Sequence, residues 1–598
     1  MAKELMKRSE VPEEFTWNLK DLYENVEAWE QDLKELDAIC EKIVSYKGKI
    51  CDSAKNLLDV AELTSAFGQK INRAFSYTSR LFDQDTKNGE NQALHQKIRG
   101  LAANWGSKQA FVEPEFLEMS EETLEQYFKQ EPALELYRKY FAEMFRTKEH
   151  TLSVEMETLM SMTSEMGATA SNTYSMLNNA DLVFPEMEDE KGEKIRITTG
   201  RYISLLESSD RRVRREVFEK YYSVYEQFSH TMASLYDGQI KKLVFNAKAR
   251  KYPSTLDAAV DGTNVPSKVY HNLLSAVSDN VDKMHRYVRL RKKALGVDEL
   301  HMYDMYTPIV GDETKKVTFE EAKETVLKAL APMGEDYVAK VKEGFENRWI
   351  DVYENEGKRS GAYSAGTFGV HPYVLLNHND NLSSMFTLAH EMGHAMHSYY
   401  SNTTQPYVYS HYVIFVAEVA SICNEMLLMD YLLKNTTDKK ERAYLLNHFC
   451  EKFRGTMYRQ TMFAEYELRT NEMVESGVSL TAENLTKLYA QLNEKYYGPD
   501  VVTDREIGFE WARIPHFYYN FYVYQYATGF AAAVALSQQI LKEGEPAVAR
   551  YKKFLSGGCS ETPIDLLKIA GVDMESPEPI SEALKVFDGI LAEMEELL

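Results

Sequence analysis

The 598-residue sequence predicts a mainly α-helical protein in two helical parts, with a small β element placed just ahead of one particular helix. Three observations lead there. Apolar residues recur at spacings of three, four and seven along most of the chain, the period of helices with one buried face. Extended runs bounded by glycine and polar turns interrupt that period clearly at two places, 182–199 and 358–381. The composition, 44% apolar and 27% charged, is that of a globular chain able to bury a large core, which sets aside disordered, collagenous and membrane-embedded classes.

From Trp17 to about Asn179 successive amphipathic helices are expected, such as Leu22 to Val44 with Leu22, Trp29, Leu33, Leu36 and Ile39 on one face. Ser120 is placed to cap a helix whose first turn carries Glu121 and Glu122. The stretch 182–199 reads as a hairpin, and helices resume around Ser209-Asp210. A boundary near 205 therefore divides an N-terminal helical domain, 1–205, from a larger domain, 206–598. Gly361, Gly366 and Gly369 followed by Tyr373-Val374-Leu375-Leu376 suggest a glycine-rich extended segment beside a strand. Ser383-Ser384 could cap the next helix, and Tyr412 to Leu433 reads as a further apolar helix broken only by Glu418 and Glu425. No fixed-period repeat supports a solenoid.

Sixty-nine Lys and Arg against 92 Asp and Glu leave a formal charge of −23, which repels phosphate backbones, so no nucleic-acid partner is expected. No membrane association is expected either: the longest apolar stretches, such as Phe530 to Leu536, fall well short of the roughly 20 residues needed to span a bilayer. Five widely spaced cysteines without a C-x-x-C pair fit free thiols. The charged opening from Met1 to Glu10 lacks the apolar core of a signal peptide, and a cytoplasmic location follows as the expectation. Nothing in the sequence specifies an oligomeric state.

Histidine is unevenly spread. Six of the 14 (His371, His378, His390, His394, His397, His411) fall between residues 371 and 411. Within that stretch stands His390-Glu391-Met392-Gly393-His394. Residues i and i+4 lie one turn apart on one helix face, so both imidazoles can reach a single Zn²⁺ at roughly 2.0–2.1 Å, with Glu391 beside it. A catalytic zinc needs a third protein ligand and an open position. Glu418 and Glu425 are candidates on the following helix; seven residues apart, they share a face but stand about 10.5 Å apart along it, so only one can reach the metal. His397 is also about 10.5 Å along from His390, which makes it a supporting or packing residue rather than a ligand. The metzincin pattern would need glycine at 397 and histidine at 400, where this chain has His397 and Tyr400.

The run His390 to His397, followed by Phe415-Val416-Ala417-Glu418-Val419-Ala420-Ser421 and Glu425, resembles the thimet oligopeptidase-like zinc metallopeptidases. The stretch Ile514-Pro515-His516-Phe517-Tyr518-Tyr519-Asn520-Phe521-Tyr522-Val523-Tyr524-Gln525-Tyr526 resembles, more narrowly, their oligoendopeptidase F branch. The resemblance covers nearly the whole chain. It implies one Zn²⁺ per chain held by His390, His394 and Glu418, with Glu425 orienting a ligating histidine through its other ring nitrogen. It implies that the histidine and tyrosines of the late region stabilise the transition state and hold substrate: His516, Tyr519, Tyr522 and Tyr526 in the chemistry and Tyr524 in peptide binding. It also implies a two-part helical zincin with a deep substrate channel walled by the N-terminal domain, which admits short unstructured peptides and excludes folded chains.

The expected function is thus zinc-dependent endopeptidase hydrolysis of internal bonds in short peptides. Glu391 would take a proton from a zinc-bound water and pass it to the leaving amine. Gly366 and Gly369 mark a segment whose strand edge could bind an extended peptide by main-chain hydrogen bonds. A peptidyl-dipeptidase or carboxypeptidase of the same zinc class, and a helical peptide-binding protein with a chance His-Glu-x-x-His, are the alternatives; end-blocked peptides and the metal content separate them.

Overall fold

A computed structural model describes residues 5–311 and 316–598, with the side chain of residue 154 left out. The first four residues of the charged N-terminal stretch thus lie outside the described residues. The chain is 72% helical with only small sheets, as the apolar periodicity predicts. The elements used below are, in chain order, α1 (Val26–Val44), α2 (Ala54–Gln84), α3 (Gly89–Gln109), β1 (Glu186–Glu188), β2 (Lys194–Arg196), β3 (Ile350–Asp351), β4 (Tyr363–Thr367), β5 (Val370–Leu375), α4 (Leu382–Thr404), α5 (Ile414–Asn435), α6 (Arg459–Glu475) and α7 (Tyr524–Glu543).

The fold forms two compact units, each assembled from three separate stretches. One comprises 1–148, 315–431 and 536–571; the other comprises 149–314, 432–535 and 572–598. The core of the first gathers Trp29, Leu33, Leu36, Cys40 and Ile43 of α1 with Leu57, Leu58 and Ala61 of α2, Ile98 and Trp105 of α3, and Tyr373 and Leu375 of β5. The helix expected from Leu22 starts instead at Val26, because Asn25 caps it: its side chain accepts the Ala28 N–H at 2.9 Å. Ser120 caps as expected, accepting the Thr123 N–H at 3.1 Å.

In the same unit, β3, β5 and β4 form a three-stranded sheet in the order β3-β5-β4, with β3 parallel and β4 antiparallel to β5. Its register slips at Gly366, between Ala365 and Thr367. A Cβ there would come 2.6 Å from the Ser398 Cβ, so only glycine lets this strand lie directly on α4. Gly369, at φ 77°, makes the turn between β4 and β5. The sheet is anchored by the fully buried Asp351 of β3, which pairs with Lys358 at 2.7 Å and Arg8 at 2.5 Å. Burying this carboxylate with two cations meets the requirement that a buried charge be paired.

In the second unit β1 and β2 form the hairpin expected at 182–199, paired Glu186↔Arg196 to Glu188↔Lys194. Helix resumes earlier than expected, at Thr199–Leu206 with Thr198 as its cap, and the next helix begins at Arg211 with Asp210 as its cap. Asp304, buried, holds Arg214 at 2.9 Å, and Glu510 is buried among Arg459, Arg513 and Tyr489.

Candidate active site

The His-Glu-x-x-His run lies in the middle of α4. This helix is capped by Asn381, whose side chain accepts the Ser384 N–H at 2.8 Å, so it starts two residues earlier than a Ser383 cap would place it and both serines lie inside its first turn. His390 and His394, one turn apart, present their rings at 4.9 Å centroid separation. The Glu418 carboxylate of α5 closes the group, its Oε2 3.4 Å from His390 Nε2 and 3.7 Å from His394 Nε2. Among the described residues these three form the one group able to hold a metal, with all ligand atoms within 4.8 Å of one another. Two ligands on a tetrahedral ion at zinc bond lengths stand about 3.3 Å apart, so the two nitrogens and the oxygen are spaced for such an ion. The donor set of two imidazoles and one carboxylate fits as well.

Glycine makes the helix crossing possible. A Cβ on Gly393 would lie 2.5 Å from the Ala420 carbonyl oxygen and 2.5 Å from the Ser421 Cα. Only a bare backbone at 393 allows α5 close enough for Glu418 to reach both histidines. Three further groups fix the pair. Ser421 donates to the Glu418 Oε2 at 3.2 Å; Asn424 donates across the crossing to the Ala389 carbonyl at 3.2 Å; and Asn424 accepts from the buried Tyr337 hydroxyl at 3.0 Å. Sequence reasoning did not single out any of these four residues. The available signals were a glycine inside a helix and polar residues on an otherwise apolar helix.

Glu425, one turn-pair along α5, reaches the back of the site. Its Oε1 lies 2.6 Å from His390 Nδ1, which orients the ring so that Nε2 faces Glu418. The electrostatics are those of a cation site. Burial works against a charge on His390, but hydrogen bonds with Glu418 and Glu425 outweigh it and raise its pKa to about 10. Burial and the neighbouring His390 lower His394 to about 4. Burial opposes the charge on Glu418 too, yet His390 and His394 hold its carboxyl below the usual range. Glu391, 6% exposed, shifts the other way: burial outweighs the charge of His390 and raises it to about 7, and its Oε2 has no hydrogen bond. A carboxylate with that affinity exchanges protons readily near neutrality.

The other clustered histidines lie elsewhere. His397 is 1% exposed and stacks on Tyr412 at 3.8 Å, and both its ring nitrogens lack a hydrogen bond. Its ring is thus packed among aromatic side chains, the packing role of the two that its place on the helix left open. His371 stacks on Trp349, His378 is buried against Phe319, and His411 lies edge-on to Tyr407.

The late aromatic region belongs to the second unit. A short 3₁₀ turn, Pro515–Tyr518, leads into a loop that ends at α7. The four residues singled out from it come together: His516 lies 5.5 Å from Tyr519, 6.4 Å from Tyr522 and 6.1 Å from Tyr526, and Tyr522 lies 5.4 Å from Tyr526. Tyr519 is 55% exposed, so this ring group faces outward. Burial, then the charge of Arg459, lowers the pKa of His516 and favours its neutral form. Tyr524 departs from the group: it is 2% exposed and packs on Tyr270 at 5.0 Å, so it supports the loop from beneath and offers no surface to a peptide, contrary to expectation. Upstream, Glu510 is held ionised by Arg459 and Arg513 in spite of its burial, with a pKa of about 2, and anchors the loop entry.

A helical fold in which two histidines of one helix and a carboxylate of the next converge, with a buried glutamate between the histidines in sequence, defines the class as a metallopeptidase of zincin type. Comparison with known proteins agrees. The profile of Peptidase family M3 matches residues 204–586, and that of Oligopeptidase F matches 115–184. The chain is 48% identical to oligopeptidase PepF of Bacillus subtilis over 597 residues, which covers all of this chain and 89% of the relative. Among solved structures, an oligoendopeptidase-F from Enterococcus faecium is 40% identical with a TM-score of 0.74, covering 95% of this chain and 98% of the other. A peptidase described as putative from Chlamydophila abortus is 34% identical with a TM-score of 0.93 over both whole chains. The chain belongs to peptidase family M3, in its oligopeptidase F group, and is a metallo-oligopeptidase.

Proposed function

We propose that this enzyme is a zinc-dependent endopeptidase that cleaves internal bonds of short unstructured peptides. The observation that carries the reading is the convergence of His390 Nε2, His394 Nε2 and Glu418 Oε2, with Glu425 behind His390 and Glu391 beside them. Glu418 is the third ligand and Glu425 the residue that orients the His390 ring through Nδ1, so that Nε2 faces the metal position and gives up its proton when the ion binds. A zinc ion bound there would polarise the scissile carbonyl and acidify a water. The remaining work falls to the chain. Glu391 accepts the water's proton and passes it to the leaving amine, a role suited to a carboxyl whose pKa burial has moved to about 7. His516, with Tyr519, Tyr522 and Tyr526, supplies ring donors for the substrate and the developing oxyanion. The strand β4, at the edge of its sheet and held against α4 by Gly366, is where the main chain of an extended peptide would pair, with Gly369 completing the turn at its end.

Residue 205 is proposed as the boundary between the N-terminal and catalytic domains; the Oligopeptidase F profile ends at 184 and that of Peptidase family M3 begins at 204. The five cysteines are free, in keeping with a reducing cytoplasmic setting. No described helix is long and apolar enough to cross a membrane.

The test is digestion of a peptide pool blocked at both ends, with and without chelator, followed by mass spectrometry. Internal cleavage that chelation abolishes and one equivalent of zinc restores is expected; blocked peptides left intact by the zinc-loaded enzyme would exclude an endopeptidase. Glu391→Gln should keep its zinc and lose at least about a thousandfold in kcat, and an active variant would remove Glu391 as the base.

A further inference from the structure

Glu467 of α6 is a carboxylate without a cation. It is fully buried, and its surroundings are Tyr236 and Tyr270, whose hydroxyls are engaged with Thr470 and with the Ala464 carbonyl. Its Oε1 accepts one hydrogen bond, from the Phe521 N–H at 2.6 Å, and its Oε2 has none. An unpaired buried carboxyl costs several kcal/mol relative to an apolar side chain, so its presence calls for a use. That use lies at the other end of the hydrogen bond. Asn520 and Phe521 are consecutive residues in the left-handed region, both at φ 55°, a conformation costly for a bulky aromatic residue. The turn they form stands between Tyr519 and Tyr522, so its geometry sets where both rings lie relative to His516.

We propose that Glu467 is a positioning residue for peptide hydrolysis: through the Phe521 N–H it holds the left-handed Asn520–Phe521 turn, which places Tyr519 and Tyr522 around His516. The inference rests on the reading that this ring group acts on substrate. Other contacts support the turn without replacing that bond. Phe521 is buried edge-on to Tyr270, at 5.6 Å, and Gln239 donates to the Tyr518 carbonyl at 3.2 Å. Neither contact satisfies the Phe521 N–H. The carboxyl works as an acceptor rather than as a charge, since burial raises its pKa to about 8 and keeps it largely neutral at pH 7.

The experiment compares Glu467→Gln, Glu467→Asp and Glu467→Leu in the full-length, zinc-loaded enzyme. Gln retains an acceptor at the same reach without the charge; Asp retains the carboxyl but withdraws it by about one bond length; Leu keeps the volume alone. Gln is expected to stay within about threefold of the parent kcat, while Asp and Leu lose about tenfold or more with KM changed less than about threefold and zinc content intact. Amide exchange of the 516–526 peptide should rise in Asp and Leu and not in Gln. If the Leu variant does not fold, the Gln and Asp pair decides alone. Equal loss in Gln and Asp, or full kcat in Asp, overturns the proposal. Tyr522→Phe and His516→Gln are measured alongside: unchanged kcat in both refutes the catalytic reading of the loop, whereas loss there with full activity in Glu467→Asp refutes the positioning role alone.

Discussion

At the scale of single residues, two carboxylates on one helix do different work because of where seven residues of spacing put them. Glu418 faces both imidazole Nε2 atoms, while Glu425 meets His390 at Nδ1. On the proposed roles, Glu418→Ala should weaken zinc binding far more than Glu425→Ala, which should cost about 10–100-fold, as loss of an orienting partner does. Competition with a chromogenic chelator measures both, and the reverse order would exchange their roles. Glu467 makes a separate prediction about pH. Its pKa rises from 4.5 in the unfolded chain to about 8 in the fold. Below 4.5 both states hold the proton; between 4.5 and 8 only the folded state does, so this group's contribution to stability falls as pH rises through that window. Glu467→Gln should be relatively more stable at pH 8.5 than at pH 5 when each is compared with the parent in denaturant titrations. A difference that does not change with pH would contradict the raised pKa.

At the scale of elements, the site is a helix crossing. The two histidines follow from the period of α4, but the Glu418 carboxylate reaches them only because α5 approaches closely, and Gly393 sets that approach. Gly393→Ala must separate the helices or strain them. Overpacking of this kind costs about 1–3 kcal/mol, and here it also moves Glu418 away from His390 and His394. The expected result is a lower melting temperature in the metal-free protein together with weaker zinc binding; normal zinc affinity would show that the crossing adapts by other means. The same logic explains the glycine-rich segment upstream. Gly366 is needed because β4 lies on α4, and Gly369 because the hairpin turns through a left-handed residue. Sequence alone marked both positions without separating these reasons from substrate contact. The cap of α4 was displaced for a similar reason: Asn381 and Ser384 both fit a helix start by chemistry, and the entering backbone chose Asn381.

At the scale of the whole molecule, each of the two units brings together stretches that are far apart in sequence. The candidate metal group uses three side chains from two adjoining helices of one unit, whose hydrophobic core gathers residues of α1, α2, α3 and β5 and none of the three. Chelation should therefore abolish peptide hydrolysis and leave the far-ultraviolet helical signal almost unchanged, because a core of this size does not depend on the ion. Loss of most of that signal on chelation would instead make the metal a structural one.

Local rules made much of this legible. The 3.6-residue period identified the helical class and the buried face of α1; polar turns marked the 182–199 hairpin; and the i, i+4 geometry of His390 and His394, with the seven-residue separation of Glu418 and Glu425, limited the metal ligands to one carboxylate. The aromatic group was readable as a density of rings between 516 and 526. These features depend on residues close together in the chain, where backbone geometry alone sets the distances. What only the tertiary structure decided depends on approach between distant segments. It made Gly393 a contact glycine, buried His397 and Tyr524 as packing residues in spite of their favourable spacing, and brought Glu467 under a turn 54 residues away. Periodicity states which face a residue occupies, but the neighbour that covers that face is a matter of packing, and packing is what turns a polar side chain into a ligand, a support or part of the core.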